Sequence, residues 1–100
     1  MTGVQTLARR IREAREALGI SQKQLGILAG IDEFVASARI NQYERGKHEP
    51  DHATAIKLAK VLGVPPSFLY EPDDKLAELI RLAGQLSATA LQRLIHDLNK

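Results

Sequence analysis

The sequence contains no cysteine and no tryptophan, and its aromatic residues are two Phe and two Tyr in 100 positions. Without cysteine the chain forms neither a disulfide framework nor a thiolate metal site, which is compatible with a reducing compartment. No apolar run approaches the roughly 18 residues of a membrane span, and residues 1–17 lack the continuous apolar core of an export signal. We therefore predict a cytoplasmic protein that does not contact a membrane.

Sequence motifs typical of catalytic or metal-binding sites are also missing. Pro50 separates His48 from His52, so these histidines are not a helical metal-binding pair, and His96 lies far along the chain. The sequence has no glycine-rich phosphate loop and no nucleophile elbow. We predict that the protein is not an enzyme and that it holds no cofactor or metal ion, and no small-molecule ligand is evident from the sequence.

Length and charge limit the organisation of the chain. One hundred residues, of which 44% are apolar, suffice for one small globular core. The net charge of +2 does not by itself indicate a nucleic-acid partner. The distribution of charge is more informative, because residues 9–23 carry five basic and two acidic side chains, whereas residues 71–74 carry three carboxylates and no basic residue.

Apolar residues recur at spacings of three and four along the chain, which predicts an all-helical protein. The first helix is predicted from about Thr6 to Leu18. Ser21 then has the position of an N-cap, so a second helix begins at Gln22 and ends near Gly30. The predicted buried stripes are Leu7, Ile11, Ala14 and Leu18 in the first helix, and Leu25, Leu28 and Ala29 in the second.

A third helix is predicted from Ala36 to Tyr43, with Ala36, Ile40 and Tyr43 on its buried face and Gly46 closing the segment. The residues on its polar face are of types that can read base edges in DNA, namely Ser37, Arg39, Asn41 and Gln42.

A fourth helix follows Pro50 and Asp51 and ends at Gly63, and Pro66 suits the first turn of a short fifth helix. In the fourth helix the residues predicted to be buried are Ala55, Ile56, Ala59 and Leu62, with Leu58 as a further candidate. In the fifth helix they are Phe68 and Leu69.

Two amphipathic helices are predicted after this five-helix core. Asp73 or Asp74 caps the sixth helix, Gly84 interrupts it, and Ser87 caps the seventh. Either the two helices fold back on the core, or they pair across a two-fold axis with a second chain. Their apolar stripes are Leu76, Leu79, Ile80 and Ala83, followed by Leu91, Leu94, Ile95 and Leu98.

The segment from Ser21 to Gly46 resembles the signature of the lambda-repressor-like helix-turn-helix family, also called the xenobiotic-response-element family of bacterial and phage regulators. The matching positions are Gln22, Leu25, Ala29, Gly30, Ile40, Glu44, Arg45 and Gly46. The resemblance implies an all-α fold in which residues 1–72 form a five-helix DNA-binding domain. Residues 73–100 then form a C-terminal two-helix extension, which is a candidate dimerisation element.

The function that this resemblance implies is sequence-specific regulation of transcription, as a repressor that binds double-stranded DNA as a homodimer. Dimers of this kind read pseudo-palindromes whose two half-sites lie about one helical turn apart. A prophage origin fits the resemblance. The alternative function is that of a protein-interaction module or antitoxin-like adaptor, which binds its partner through the helices after Asp73.

The resemblance also assigns roles to individual residues. Residues 36–43 become the recognition helix, which lies in the major groove, and Arg15 pairs with Glu44 to clamp the first helix to it. The implied base contacts are Ser37, Ala38, Arg39, Asn41 and Gln42. The implied phosphate contacts, which set position and salt-dependent affinity, are Arg10, Arg15, Ser21, Gln22, Lys23, Arg45 and Lys47.

Asn41 and Gln42 can each offer adenine a donor and an acceptor together. Adjacent residues lie about 100° apart on a helix, so we expect one of the two to read bases and the other to contact the DNA backbone. Arg39 is compatible with a guanine or with a phosphate.

The bend before the third helix is longer than in the family pattern. Residues 31–36 take the place of a shorter bend in the family. Asp32 can cap an extended recognition helix, or residues 32–35 can form a separate turn. We expect the separate turn. It would let Phe34 and Val35 cover apolar side chains at the end of the second helix, namely Ile27 and Leu28.

Overall fold

The computed structural model describes residues 2–100, and within this range it contains seven α-helices and no β-strand, so the predicted all-helical class is confirmed. None of these helices combines the length and the apolar character that crossing a membrane requires. The helices are α1 Gly3–Leu18, α2 Gln22–Leu28, α3 Ala36–Glu44, α4 His52–Leu62, α5 Pro66–Tyr70, α6 Asp74–Ala83 and α7 Ala88–Leu98.

Helix α1 begins earlier than predicted, at Gly3 rather than Thr6. Its start is fixed by a capping box. The Thr2 hydroxyl accepts a hydrogen bond from the Gln5 N–H at 3.2 Å, and the Gln5 side chain accepts one from the Thr2 N–H at 3.0 Å. The prediction is wrong because it places the start by the apolar stripe, which begins only at Leu7.

Polar side chains begin most of the other helices. Ser21, Asp51 and Ser87 each accept a hydrogen bond from the N–H three residues further on, which satisfies one unpaired donor of a helix start. Of the two predicted caps for α6, Asp73 takes this role at 2.9 Å. Helix α3 differs, because its N-cap residue, Val35, has no side-chain hydrogen bond.

Helices α1 to α5 enclose one apolar core, and most of the predicted stripes contribute to it. The largest fully buried side chains are Leu7, Ile11, Leu25, Ile40, Leu58 and Leu69. The predicted residues Ala36, Tyr43 and Phe68 are buried as well.

Three residues of the stripes predicted for α1 to α5 are exposed instead, namely Leu18, Leu28 and Ile56. In α4 and α2 the spacing of three and four fits two adjacent faces of each helix. The core takes the face that includes Leu58 in α4 and the face that includes Gly26 in α2. Leu18, in the last turn of α1, lines an open groove between α1 and α6 and is not covered there.

The start of α6 is tied to α1 by charged groups. Arg9 donates a hydrogen bond to Asp74 at 2.8 Å, and Arg10 Nη1 lies 3.1 Å from the same carboxylate. These contacts, that of Arg9 above all, hold the pKa of Asp74 below its ordinary value. In this orientation the predicted α6 stripe is only partly buried, because Leu76 and Leu79 remain exposed.

Helix α6 folds back on the core, whereas α7 does not. Ala77 is fully buried in the core cluster, and a Cβ on Gly84 would stand 2.5 Å from the Pro65 Cγ. In α7 no residue is buried, and Ile95 and Leu98 are exposed. The outcome therefore differs between the two helices. Helix α6 packs on the core, whereas the apolar stripe of α7 is half-buried at Leu91 and Leu94 and exposed at Ile95 and Leu98.

The segment between α2 and α3 forms a separate turn, as predicted. The Asp32 carboxylate accepts a hydrogen bond from the Phe34 N–H at 2.9 Å, and the Asp32 carbonyl accepts one from the Val35 N–H at 3.1 Å. The predicted packing of Phe34 and Val35 on the end of α2 is wrong, because Phe34 is 89% exposed and Val35 is exposed too. Helices α2 and α3 approach each other closely at Gly26 and Ala36, while Ile27 and Leu28 at the end of α2 stay exposed.

Replacing Phe34 with alanine should change the free energy of unfolding by less than about 0.5 kcal/mol, because the ring is exposed. Phe68→Ala is the matched substitution in the core, where the ring is 7% exposed, and it should cost about 3–5 kcal/mol. Urea unfolding of both variants and the wild type measures the difference. A loss for Phe34→Ala as large as that for Phe68→Ala would contradict the exposed position of Phe34.

Candidate nucleic-acid interface

A glycine sets the distance between α2 and α3. Gly26 is buried, and a Cβ built on it would stand 2.7 Å from the Ala36 Cβ and 3.1 Å from the Ala36 carbonyl oxygen. Gly30, with a φ of 87°, then ends α2 in the left-handed conformation, and the Ile31 N–H donates back to the Gly26 carbonyl at 2.9 Å. The first turn of α3 is therefore placed by backbone contacts with α2.

A buried carboxylate joins α1, α2 and α3. The Glu44 side chain is 3% exposed and accepts hydrogen bonds from Arg15 Nε at 2.6 Å and Arg15 Nη2 at 3.0 Å. Gln22 Nε2 donates to the same carboxylate at 3.1 Å. The hydrogen bonds from its guanidinium to Glu44 raise the pKa of Arg15 above its ordinary value. The predicted Arg15–Glu44 ion pair is thus present, and we call Arg15, Gln22 and Glu44 the Glu44 clasp.

Two arginines among the predicted phosphate contacts are also engaged within the protein. Arg10 is 3% exposed, donates from Nε and Nη2 to the Glu71 carbonyl oxygen at 2.9 and 2.7 Å, and lies over the Phe68 ring. Its Nη1 also lies 3.1 Å from Asp74, so the guanidinium is engaged on all sides and Arg10 is not among the phosphate contacts proposed below. The family resemblance that implied this role does not show which basic side chains point inward. Arg15 uses Nε and Nη2 in the clasp and Nη1 on the Ile20 carbonyl at 2.9 Å, so its role is structural.

The predicted base contacts lie on α3. Ser37, Ala38 and Arg39 are exposed, and Asn41 and Gln42 are half-buried. Asn41 Oδ1 accepts a hydrogen bond from Gln22 Nε2 at 3.3 Å, whereas no group in residues 2–100 hydrogen-bonds the Gln42 side chain. Of the two adjacent amides, Gln42 is therefore the one whose donor and acceptor both carry no hydrogen bond within the described residues.

The other predicted phosphate contacts lie at the ends of α2 and α3. Lys23 in the first turn of α2, and Arg45 and Lys47 just after α3, are exposed. The Lys47 N–H donates to the Gln42 carbonyl at 3.0 Å, which turns the chain back on α3. Ser21 caps α2, so three cations and this helix start border the exposed part of α3.

The roles of two residues in this region are not predicted from the sequence. Gln24 completes a capping box, since its side-chain oxygen accepts a hydrogen bond from the Ser21 N–H at 2.8 Å. The Ser-x-x-Gln spacing is the signal that could have revealed it. Gly26 is the second, and a glycine inside a helical stripe can indicate the close approach of another backbone.

The groups on this surface are suited to recognition rather than to reaction. The Ser37 hydroxyl and the Gln42 amide can exchange hydrogen bonds with a ligand, and the exposed cations attract a polyanion. Among residues 2–100, no three His, Asp or Glu side chains cluster as a metal site would require. The arrangement is therefore suited to bind a partner whose surface is negatively charged and rich in hydrogen-bonding groups.

Comparison with known proteins gives consistent results. A family model described as helix-turn-helix matches residues 11–69. The chain is 35% identical over 69 residues to Repressor protein C2 of Salmonella phage P22, a match that covers 69% of this chain and 30% of the relative. It is 36% identical over 62 residues to the SPbeta prophage-derived uncharacterized HTH-type transcriptional regulator YonR of Bacillus subtilis (strain 168), covering 62% of this chain and 54% of that protein.

The chain thus spans less than two thirds of the length of each of these two relatives. A solved structure matches more completely. The crystal structure of the transcriptional regulator BswR superposes on this chain with a TM-score of 0.85 and 48% sequence identity, covering 92% of this chain and 91% of that one. Its coverage of 92% extends beyond residues 11–69, which the family model matches.

Replacing Arg15 with methionine should destabilise the protein by about 3 kcal/mol or more, because the Glu44 carboxylate would stay buried without its cation. The double variant Arg15→Met/Glu44→Leu should recover most of this loss, since it removes both charges and keeps similar volumes. Urea unfolding of wild type, single and double variants measures the coupling. Equal losses in the single and the double variant would show that the ion pair does not determine stability here.

Proposed function

This chain belongs to the helix-turn-helix family, in its lambda-repressor-like group, and we propose that it is a transcriptional regulator that reads an operator in double-stranded DNA as a homodimer. The observation that carries this proposal is the position of α3. Its buried side is fixed by the Glu44 clasp and by Gly26, while its outer side carries exposed groups of the kinds that bind base edges.

In the proposed complex, the N-terminal part of α3 lies in the major groove. Ser37 and Ala38 in its first turn face base edges, and Gln42 lies one turn further on. The Gln42 amide suits adenine, to which it can offer a donor and an acceptor together, and Arg39 suits a guanine or a phosphate. Asn41 is held by Gln22, so it supports the reading surface and contributes at most a secondary base contact.

The proposed phosphate contacts fix α3 in the groove. They are Ser21, Lys23, Arg45 and Lys47, together with the backbone N–H of Gln22 at the start of α2. The Gln22 side-chain N–H groups are used in bonds to Asn41 and Glu44. Phosphate contacts set the register on the duplex and make affinity depend on salt, but they do not choose the sequence. A net charge of only +2 fits this arrangement, because a few well-placed cations suffice for a specific site.

The proposed dimer is formed through α7. This helix has 11 residues, none of them buried, and its stripe includes Leu91, Leu94, Ile95 and Leu98. Isolated helices shorter than about 12–15 residues are marginal in water, so α7 needs a cover for its apolar stripe. A second copy of the same helix supplies one by symmetry, and it also pairs two reading surfaces for two half-sites.

We propose repression as the mode of regulation and the cytoplasm as the place of action. A protein that occupies an operator excludes other proteins from the same DNA. The phage P22 relative is named a repressor, and the SPbeta relative is prophage-derived, which supports a phage-type regulator. The protein acts here by binding and not by catalysis.

The first test is selection from a pool of random duplex DNA at two salt concentrations, with the mass of the protein in solution determined on the same preparation. We expect enrichment of one pseudo-palindrome by a two-chain species, with affinity that falls steeply as salt rises. If no sequence is enriched, the protein is not an operator reader, and the alternative of a protein-interaction module gains support.

On the selected operator, Gln42→Ala should weaken specific binding by about 1–3 kcal/mol and relax the preference at one base pair of each half-site. Lys47→Ala should instead weaken binding to operator and unrelated DNA about equally, and it should reduce the salt slope by about 1. Titrations of both variants on both duplexes at several salt concentrations separate the two effects. Equal behaviour of the two variants would contradict the assigned roles.

Ile95→Asn should dissociate the two-chain species at concentrations at which the wild type is paired, because it places a polar amide in the apolar stripe of α7. Arg93→Asn is the control on the same helix, since position 93 lies about 160° around from position 95. Sedimentation equilibrium measures the dimer constant of each variant. If both variants remain dimeric, or if both dissociate alike, the stripe of α7 is not the dimer contact.

A further inference from the structure

Phe34 is more exposed than any other large apolar side chain in residues 2–100. At 89% exposure it contrasts with Phe68, the other phenylalanine of the chain, which is in the core. Three nearby apolar residues of the same segment, Ile27, Leu28 and Val35, are exposed as well. The longer bend between α2 and α3 therefore adds an uncovered aromatic ring next to the recognition helix.

The backbone that carries this ring is held in place. The Asp32 carboxylate accepts a hydrogen bond from the Phe34 N–H at 2.9 Å, and the Asp32 carbonyl accepts one from the Val35 N–H at 3.1 Å. At the start of the bend the Ile31 N–H donates to the Gly26 carbonyl at 2.9 Å. The turn is thus anchored to α2, and Phe34 has a defined position without any contact that buries it.

Phe34 lies two residues before Ala36, at the end of α3 that enters the major groove in the proposed complex. Ser37 and Ala38, which face base edges in that complex, follow it within four residues of the chain. On the edges of base pairs in this groove, the thymine 5-methyl group is the apolar feature, whereas the other groups are hydrogen-bond donors and acceptors. An aromatic ring that approaches this groove finds its complement in that methyl group.

We propose that Phe34 is a specificity-determining residue that contacts a thymine 5-methyl group in each operator half-site, outside the bases faced by Ser37 and Ala38. This inference rests on the proposed function, because it needs α3 in the major groove. It extends that function, since the lengthened bend becomes a second reading element with apolar rather than hydrogen-bonding chemistry.

The test uses the full chain and the operator selected by the wild type. Each thymine of a half-site is replaced in turn by deoxyuridine, which removes only the methyl group, and the dissociation constant is measured at fixed salt. At one position the wild type should lose roughly fourfold in affinity for each half-site, as expected for one apolar carbon taken out of a contact. Phe34→Ala should show no loss at that position, and it should bind the thymine operator about as weakly as the wild type binds the deoxyuridine one.

Two further variants separate the contact from a general effect. Phe34→Leu keeps an apolar side chain and should retain part of the discrimination between thymine and deoxyuridine. Ile56→Ala removes an exposed apolar side chain from α4, away from the reading surface, and should discriminate as the wild type does. Binding to unrelated duplex DNA should be the same for all four proteins, because the phosphate contacts are unchanged.

The inference is overturned if deoxyuridine has the same effect on wild type and Phe34→Ala at every position, or if neither protein distinguishes the two bases. It is also overturned if Phe34→Ala alters the mass of the protein in solution and leaves DNA binding unchanged, which would make the ring a protein contact. If the wild type enriches no sequence at all, the proposed function fails and this inference fails with it. Enrichment without dependence on Phe34 refutes the inference alone.

Discussion

The buried carboxylate of Glu44 is the constraint on which the reading surface depends. A charged group away from water costs several kcal/mol unless it is paired and hydrogen-bonded. Arg15 from α1 and Gln22 from α2 supply the partners, and the carboxylate itself is at the end of α3. The cost is offset only when the three helices take their native arrangement. Electrostatics therefore fixes the orientation of α3 together with the apolar contacts of Ile40 and Tyr43.

Two arginines of α1 make their hydrogen bonds within the protein rather than at its surface. Arg15 connects α1 to α3, and Arg10 connects α1 to the carbonyl of Glu71, just before α6. One helix thus joins the proposed DNA-reading part to the part that leads to the proposed dimer contact. The concentration of basic residues near the start of the chain is largely explained by these internal bonds. The positive charge that we propose to contact DNA lies instead at the ends of α2 and α3, at Lys23, Arg45 and Lys47.

Features that depend on neighbouring residues could be predicted from the sequence, and features that depend on distant contacts could not. The caps at Ser21 and Ser87 follow from local chemistry. Leu28 has correct helical spacing but lies on the wrong face, because the choice of face is made by the packing of Gly26 against α3. Phe34 is apolar, yet its turn directs it outward. The Arg15–Glu44 pair joins positions 29 apart, so family resemblance and not spacing revealed it.

Residues 84–87 connect α6, which packs on the core, with α7, which has no buried residue. In a dimer formed through α7, the bend of this connection determines the distance and rotation between the two copies of α3. One inserted or deleted residue there would turn the α7 stripe by about 100° relative to the rest of the chain. The bases that are recognised would stay the same, while the separation of the half-sites would change. Operator architecture and operator sequence can therefore evolve independently in proteins built on this plan.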